Sequence, residues 1–254
     1  MIKLFQSVFS MQPSDTDLIY SSPQSKVKDF CFDEQVVEVF PDMIQRSVPG
    51  YSTIIETIGK LSQKYVAENS NVYDLGCSLG AATITMRRNI SSKNCHIYSV
   101  DNSPAMVERC KLHVNAFKSQ TPCDVMLDDI ISFEMKNASM IVLNFTLQFI
   151  DGDQRQSIVD RVYKALNPGG LFVISEKIVE DNQVTNDLLI DLHHDLKRAN
   201  GYSELEIAQK RTALENVMKP DSQNSLIKKL HAAGFSNITP WFQCFNFTSI
   251  VAIK

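Results

Sequence analysis

Asp74, Gly76 and Gly80 stand in the stretch Val72-Tyr73-Asp74-Leu75-Gly76-Cys77-Ser78-Leu79-Gly80, where a short apolar run ends in an acid, two glycines follow four apart and an amphipathic segment begins at once. That order makes a strand–turn–helix corner. Without Cβ atoms the backbone can turn tightly and let a ligand approach the N–H groups at the start of the helix. A glycine-rich turn that holds nothing gives the same pattern, and the spacing is not the three-glycine dinucleotide fingerprint G-x-G-x-x-G. Asp101 closes the next apolar run, 27 residues after Asp74. A carboxylate there can accept two hydrogen bonds from vicinal hydroxyls, or it can be a plain turn acid beside a helix. Asp129 and Ile130 end a third run, as a side-chain acceptor with an apolar wall able to hold a flat ring, or as an ordinary turn. Asn144 ends a strongly apolar run, so it needs either a ligand or an internal hydrogen-bond partner.

Other reactive residue types have plainer readings. Cys77 at a helix start could be a nucleophile, but no histidine lies near it in sequence, which favours packing. His193-His194-Asp195 lacks the further ligands of a metal site, and adjacent histidines on a helix point to different sides. No metal is therefore expected. Trp241, Phe242, Phe245 and Phe247 are expected to pack the last hairpin. Lys197-Arg198 and Lys210-Arg211 are expected to be solvated helix faces.

The elements that must position these residues alternate. Strands are expected over 72–75, 95–100 (ending at Asp101), 124–127, 139–145, 171–175, 237–243 and 245–253. Helices are expected between them, with Ser103-Pro104 supplying an N-cap and a first-turn proline. Asn167-Pro168-Gly169-Gly170 reads as a helix stop. The pattern predicts an α/β fold: a doubly wound, mostly parallel seven-stranded sheet, a C-terminal antiparallel hairpin and a ligand beyond the strands' carboxyl ends. Before the first strand, Asp33 to Phe40 reads as a helix interrupted at Pro41, with a second short helix after it and a longer one from Tyr51 to about Val66. Residues 176–221 form a largely helical insertion, in which Ser203-Glu204-Leu205-Glu206 is a capping-box start. Residues 1–26 show no sustained periodicity and read as a loose extension. Residues 27–254 then form a single domain, with helices over 27–70 placed to act as a lid.

The totals narrow the function further. A 254-residue chain with 44% hydrophobic composition can bury one sizeable core. A formal net charge of -4 argues against broad, direct nucleic-acid binding. Six scattered cysteines without a C-x-x-C pair fit reduced thiols in a cytoplasmic protein. No apolar run approaches a membrane span, and residues 1–11 match a signal peptide poorly.

A strand ending D-x-G-x-x-x-G is similar to motif I of the class I S-adenosyl-L-methionine (SAM) dependent transferases. The longer strings Val36 to Tyr51, Asp74 to Thr83, Asp101 to Met106, Val142 to Phe149, Lys197 to Ile207, Gln209-Lys210-Arg211 and Trp241 to Phe247 resemble one family more closely, carboxy-S-adenosyl-L-methionine synthase. The resemblance runs from about residue 30 to the C-terminus. It implies that a carboxyl group passes from prephenate to the methyl carbon of SAM, giving carboxy-SAM and phenylpyruvate. The product would supply a tRNA-modifying carboxymethyltransferase acting on wobble uridine. The positive sulfonium acidifies the adjacent C–H bonds, and a lid would keep water away. Carried over by position, the resemblance makes Gly76, Cys77, Ser78, Asp101, Asn102, Asp129, Ile130 and Asn144 contacts to SAM. Backbone N–H groups of the Gly76–Ser78 turn would meet its amino-acid end. Tyr51 becomes a contact from the lid, and Arg211 the clamp on the new carboxylate, where its planar fork can bind two oxygens at once. It also implies a homodimer. An ordinary small-molecule methyltransferase, with Arg211 holding an acidic substrate, is the alternative; a catalytically silent SAM-binding module is the third reading.

Overall fold

Between residues 71 and 177, apolar runs alternate with capped helices and build five parallel strands in a computed structural model that describes residues 16–254. These are β1 (Asn71–Leu75), β2 (His96–Asp101), β3 (Cys123–Leu127), β4 (Ala138–Asn144) and β5 (Leu166–Lys177). A hairpin of β6 (Asn237–Cys244) and β7 (Phe247–Ile253) adds antiparallel to β5. The resulting order, β3-β2-β1-β4-β5-β7-β6, is the expected seven-stranded sheet. The chain winds outward in both directions from the β1/β4 boundary, so the crevice at the carboxyl ends of those two strands is where this architecture binds ligands.

β4 shows why the sheet is covered on both faces. Every residue from Ala138 to Leu143 is buried. Side chains alternate across a strand, so Met140 and Val142 pack with Ile54, Ile58 and Met86, while Ile141 and Leu143 pack with Ile158, Val162 and Leu230. The first group belongs to α2 (Tyr51–Tyr65) and α3 (Ala81–Asn89), and the second to α5 (Arg155–Ala165) and α8 (Gln223–Ala233). Helix starts follow the sequence signals. Ser103 accepts from Met106 N–H ahead of Pro104 in α4 (Pro104–Ala116), and Ser203 with Glu206 makes the reciprocal box of α7 (Glu204–Glu215).

Several expectations are corrected. Pro41 does not interrupt the first helix: α1 runs unbroken over Glu34–Ser47. The proline is exposed, and Val36, Val37, Val39 and Met43 bury one continuous stripe against Leu79, Met106 and Ala213. That stripe outweighs the one helix bond a proline removes. α5 ends at Ala165, just ahead of the expected stop at Asn167 to Gly170, and those four residues already belong to an irregular start of β5; Glu176 and Lys177 extend the strand by pairing with Thr248 and Phe247. The insertion therefore begins after Lys177, as α6 (Gln183–Ala199) and α7.

The extension is not loose where it is described. Asp17 and Tyr20 are buried. Asp17 N–H donates to Asp42, Tyr202 Oη donates to Asp17 at 2.5 Å, and Gln24 N–H donates to Gln209. Polar side chains from α1 and α7 hold this segment, and no apolar periodicity signals such a contact. Residues 1–15 of the expected extension lie outside the described residues.

Candidate functional site

β1 delivers Asp74 to the base of the crevice fully buried, with Thr83 Oγ1 donating to it at 2.5 Å and Ser99 Oγ 2.7 Å from the same hydroxyl. Burial pushes the Asp74 carboxyl up to about 6, against the lowering effect of the Thr83 bonds. The turn that follows needs its glycine. Gly76 sits at φ +78°, and a Cβ there would overlap Thr146 Cγ2 and Oγ1 and lie 2.9 Å from Thr146 Cβ. Thr146 is itself fixed by donating to Leu75 O at 3.0 Å.

The turn's N–H groups correct one expectation. Gly76 and Cys77 N–H both donate to Val100 O, at 2.7 and 3.0 Å, and Ser78 N–H donates to Asp101 Oδ2 at 2.9 Å. All three are spent inside the protein. What the turn leaves open is the Gly76 carbonyl, which accepts no hydrogen bond among the described residues and can face an ammonium group. The physical reason is the tight pairing of β1 with β2, which pulls the turn onto the second strand.

Asp101 is the hub of the crevice. Its Oδ1 accepts from Ser103 N–H at 3.0 Å while Oδ2 holds Ser78, so the carboxylate is oriented with one lone pair per oxygen still available. Burial raises its pKa against these backbone bonds. Asn102 is exposed beside it. Asp128 N–H donates to Asp101 O at 3.1 Å and brings the third strand end alongside. There Asp129 Oδ1 accepts from Ile131 N–H, leaving Oδ2 open. The Ile130 side chain is buried in the core at 6% exposure, so it offers an edge and a backbone N–H rather than a broad wall. At the end of β4, Asn144 Oδ1 is buried with no hydrogen-bond partner. A buried orphan acceptor of this kind calls for a donor from a ligand. The residues thus fit an adenosyl group: diol acceptors on Asp101, a base edge at Asp129–Ile130, and an amine between Gly76 O and Asn144.

Tyr51 packs beside Asn144's neighbour Phe145, and Arg211 lies near Lys177 and His194. The Tyr51 ring lies 6.4 Å from that of Phe145, and burial first, then the Asp74 charge, raises its phenol. Arg211 is exposed on α7 and is in no ion pair among the described residues. It is close enough to Lys177 and His194 for its charge to lower both.

Two of the lysines expected to be solvated are buried. Lys197 is 7% exposed and Lys210 5% exposed. Lys210 has partners, Asp17 at 3.3 Å and Ser47 Oγ at 3.1 Å. The Lys197 ammonium has no hydrogen bond or salt bridge among the described residues, and burial, then Lys210 and Lys177, push it down to about 7. Arg198, by contrast, is solvated as expected, and it pairs with Asp195 and Glu204. Lys177, which the sequence pattern does not single out, is pushed down to about 8 by burial and Arg211. The only signal for this group was the i, i+4 spacing of His193 and Lys197.

A stability consequence follows for Lys197. Its folded pKa lies below the unfolded value of 10.5, so the folded state binds this proton less tightly. Below about pH 7 both states carry it and the full cost of burial is felt; the cost fades as pH rises towards 10.5. Lys197→Met should therefore raise unfolding stability at pH 7 by up to a few kcal/mol, since each tenfold loss of proton affinity on folding corresponds to ~1.4 kcal/mol. Denaturant titrations of both proteins should show the gap closing between pH 7 and 10. A constant gap, or a loss, would show that the ammonium is not penalised.

Among the described residues no cluster of His, Cys, Asp or Glu could hold a metal ion, and no helix is long and apolar enough to cross a membrane. A cavity of about 400 Å³ beside edge strand β3, lined by Tyr98, Lys111 and Asp124, includes none of the crevice residues.

Comparison with known proteins agrees with this geometry. A methyltransferase domain family matches residues 72–170. Carboxy-S-adenosyl-L-methionine synthase of Vibrio campbellii is 60% identical over 241 residues, covering 95% of this chain and 98% of its own. That of Colwellia psychrerythraea is 59% identical over 244 residues, covering 96% and 100%. The chain belongs to the carboxy-S-adenosyl-L-methionine synthase family. It is thus an enzyme, as the resemblance implied. Solved structures support the fold alone: human N-acetylserotonin methyltransferase in complex with SAM aligns with TM-score 0.57 at 18% identity, covering 87% of this chain and 55% of that one. The methyltransferase SibL aligns with TM-score 0.62 at 15% identity, covering 87% and 58%.

Proposed function

We propose that this family member transfers a carboxyl group from prephenate to the methyl carbon of SAM, giving carboxy-SAM and phenylpyruvate. The atoms balance. Prephenate loses carbon dioxide and its ring hydroxyl as it aromatises, the hydroxide takes one proton from the methyl group to leave water, and carbon dioxide forms the new C–C bond. The observation that carries this reading is Arg211, an exposed guanidinium in no ion pair among the described residues, whose charge reaches Lys177 at the end of β5; in this reading it faces the SAM sulfonium. A second cation beside a sulfonium is unfavourable unless an anion lies between them. A carboxylate grown on the methyl carbon is such an anion.

The site residues then take these roles. Asp101 and Asn102 hold the ribose, Asp129 and Ile130 the base, and the Gly76 carbonyl and Asn144 the amino-acid end against the turn that Cys77 and Ser78 shape, while Tyr51 closes over the sulfonium and Arg211 clamps the carboxylate. The α1–α2 and α6–α7 pairs serve as the lid. The product would serve a cytoplasmic enzyme that carboxymethylates wobble uridine of tRNA, with no direct RNA contact here. Homodimer formation is supported by an apolar stripe on α6, where Val184, Leu188 and Leu192 are 78%, 56% and 36% exposed at four-residue spacing.

Arg211→Ala should leave SAM affinity within about twofold yet weaken carboxy-SAM by about tenfold to a hundredfold, since hydrogen bonds to charged groups contribute ~1.5–3 kcal/mol. Calorimetric titration with both ligands checks this. Equal loss for the two would remove Arg211 from the carboxylate.

A further inference from the structure

Beyond the adenosyl crevice, the buried face between β5, α6 and β7 carries cations that the roles above do not use. Lys177 ends β5, and its Nζ lies 5.9 Å from the centre of the Phe247 ring. His193 packs edge-on to the same ring at 4.8 Å. Phe247 in turn stands 6.1 Å from Phe145, the residue after Asn144. A continuous aromatic wall therefore joins the orphaned Asn144 acceptor to the lysines. Lys197 lies one turn beyond His193 on α6, more than nine-tenths buried and without a partner among the described residues.

No group among the described residues neutralises this corner. Lys197 faces Lys210 and Lys177 as like charges and Asp17 as the nearby carboxylate, but Asp17 is already engaged by Lys210 and by the Tyr202 hydroxyl. Lys177 faces Arg211. His193 supplies no charge: its Nε2 pairs with Ser47 O at 2.8 Å, and burial with the two lysines holds its pKa down at about 3. Lys197 buried and Lys177 half-buried, both without a carboxylate of their own among the described residues, leave a positive corner that an anion would stabilise.

Resting on the carboxyl-transfer reading, we infer that Lys177 and Lys197 seat the carboxylate of the 2-oxo acid side chain, the one that substrate and product share. The choice between prephenate's two carboxylates follows from the chemistry. Decarboxylation moves the electron pair out of the carboxylate that leaves, and a cation fixed on that group would stabilise it before reaction and slow its loss. The lysines suit the carboxylate that stays. The ring carboxylate is then left on the Phe145 side of the wall, away from Lys177, facing the methyl carbon.

Phenylpyruvate tests this without turnover, because it keeps that carboxylate and has no second one to lose. It is titrated into the full-length protein saturated with SAM, in two buffers of different ionisation heat. Wild type should bind it and take up on the order of one proton per ligand at pH 8, as the bound anion restores charge to the lysines. Lys177→Met and Lys197→Met should each weaken it about tenfold to a hundredfold and reduce the proton uptake. Both should raise KM for prephenate while SAM affinity stays unchanged, which also shows that the variants fold; Lys197→Gln provides a second, polar replacement. Phenylpyruvate affinity and KM for prephenate unaltered in all three variants would overturn the assignment. If wild type binds phenylpyruvate in this lysine-dependent way but makes no carboxy-SAM, the carboxyl-transfer reading fails and the anion seat stands.

Discussion

Asp101→Ala is expected to weaken SAM binding by about a hundredfold to ten-thousandfold in calorimetric titration. Two charge-assisted hydrogen bonds to the ribose diol would be lost, at ~1.5–3 kcal/mol each. A second effect adds to the first. The same carboxylate anchors Ser78 N–H at 2.9 Å and Ser103 N–H at 3.0 Å, so the variant also frees the turn after β1 from the start of α4. Asp101→Asn should fall between wild type and alanine, because an amide offers one accepting oxygen and turns its NH2 group towards one of those N–H donors. A loss under about threefold for the alanine variant would mean that the diol is held elsewhere.

Gly76→Ala should lower folding stability by about 2–5 kcal/mol and abolish detectable SAM binding. Holding alanine at φ +78° costs ~1–2 kcal/mol. Forcing its methyl into Thr146 adds an overpacking cost of ~1–3 kcal/mol and threatens the Thr146 bond to Leu75 O. Adding Thr146→Ala should recover only part of the stability, since Thr146 Cβ would still lie 2.9 Å from the new methyl. Gly152→Ala is the matched control, with nothing within 4 Å of its added Cβ, and should be near neutral by urea titration. Normal SAM affinity in Gly76→Ala would contradict the close approach of ligand to this turn.

These two residues were legible in the sequence because local chemistry dictates their setting. An acid, then glycine, at the end of an apolar run can only be a tight strand-to-helix turn, and Ser103-Pro104 and Ser203 with Glu206 carry their own helix starts. What was not legible depends on contacts distant in sequence. Pro41 reads as a break because a local rule cannot see that four apolar residues of α1 share one buried stripe. The free N–H groups expected at Gly76, Cys77 and Ser78 are consumed by Val100 O and Asp101, partners more than twenty residues away. Lys197 and Lys210 read as solvated because charged residues on a helix usually are. For Lys210 the burial comes from the segment at Asp17 and from Tyr202, which close over it.

Carboxyl transfer can be followed through a labelled atom. Purified protein is incubated with SAM and with prephenate carrying carbon-13 in its ring carboxylate, and the small molecules are then analysed by mass spectrometry. Carboxyl transfer predicts carboxy-SAM carrying the label, formed together with an equal amount of unlabelled phenylpyruvate. Recovery of intact SAM, or of its demethylated product alone, with no label on the sulfonium side chain, would contradict it.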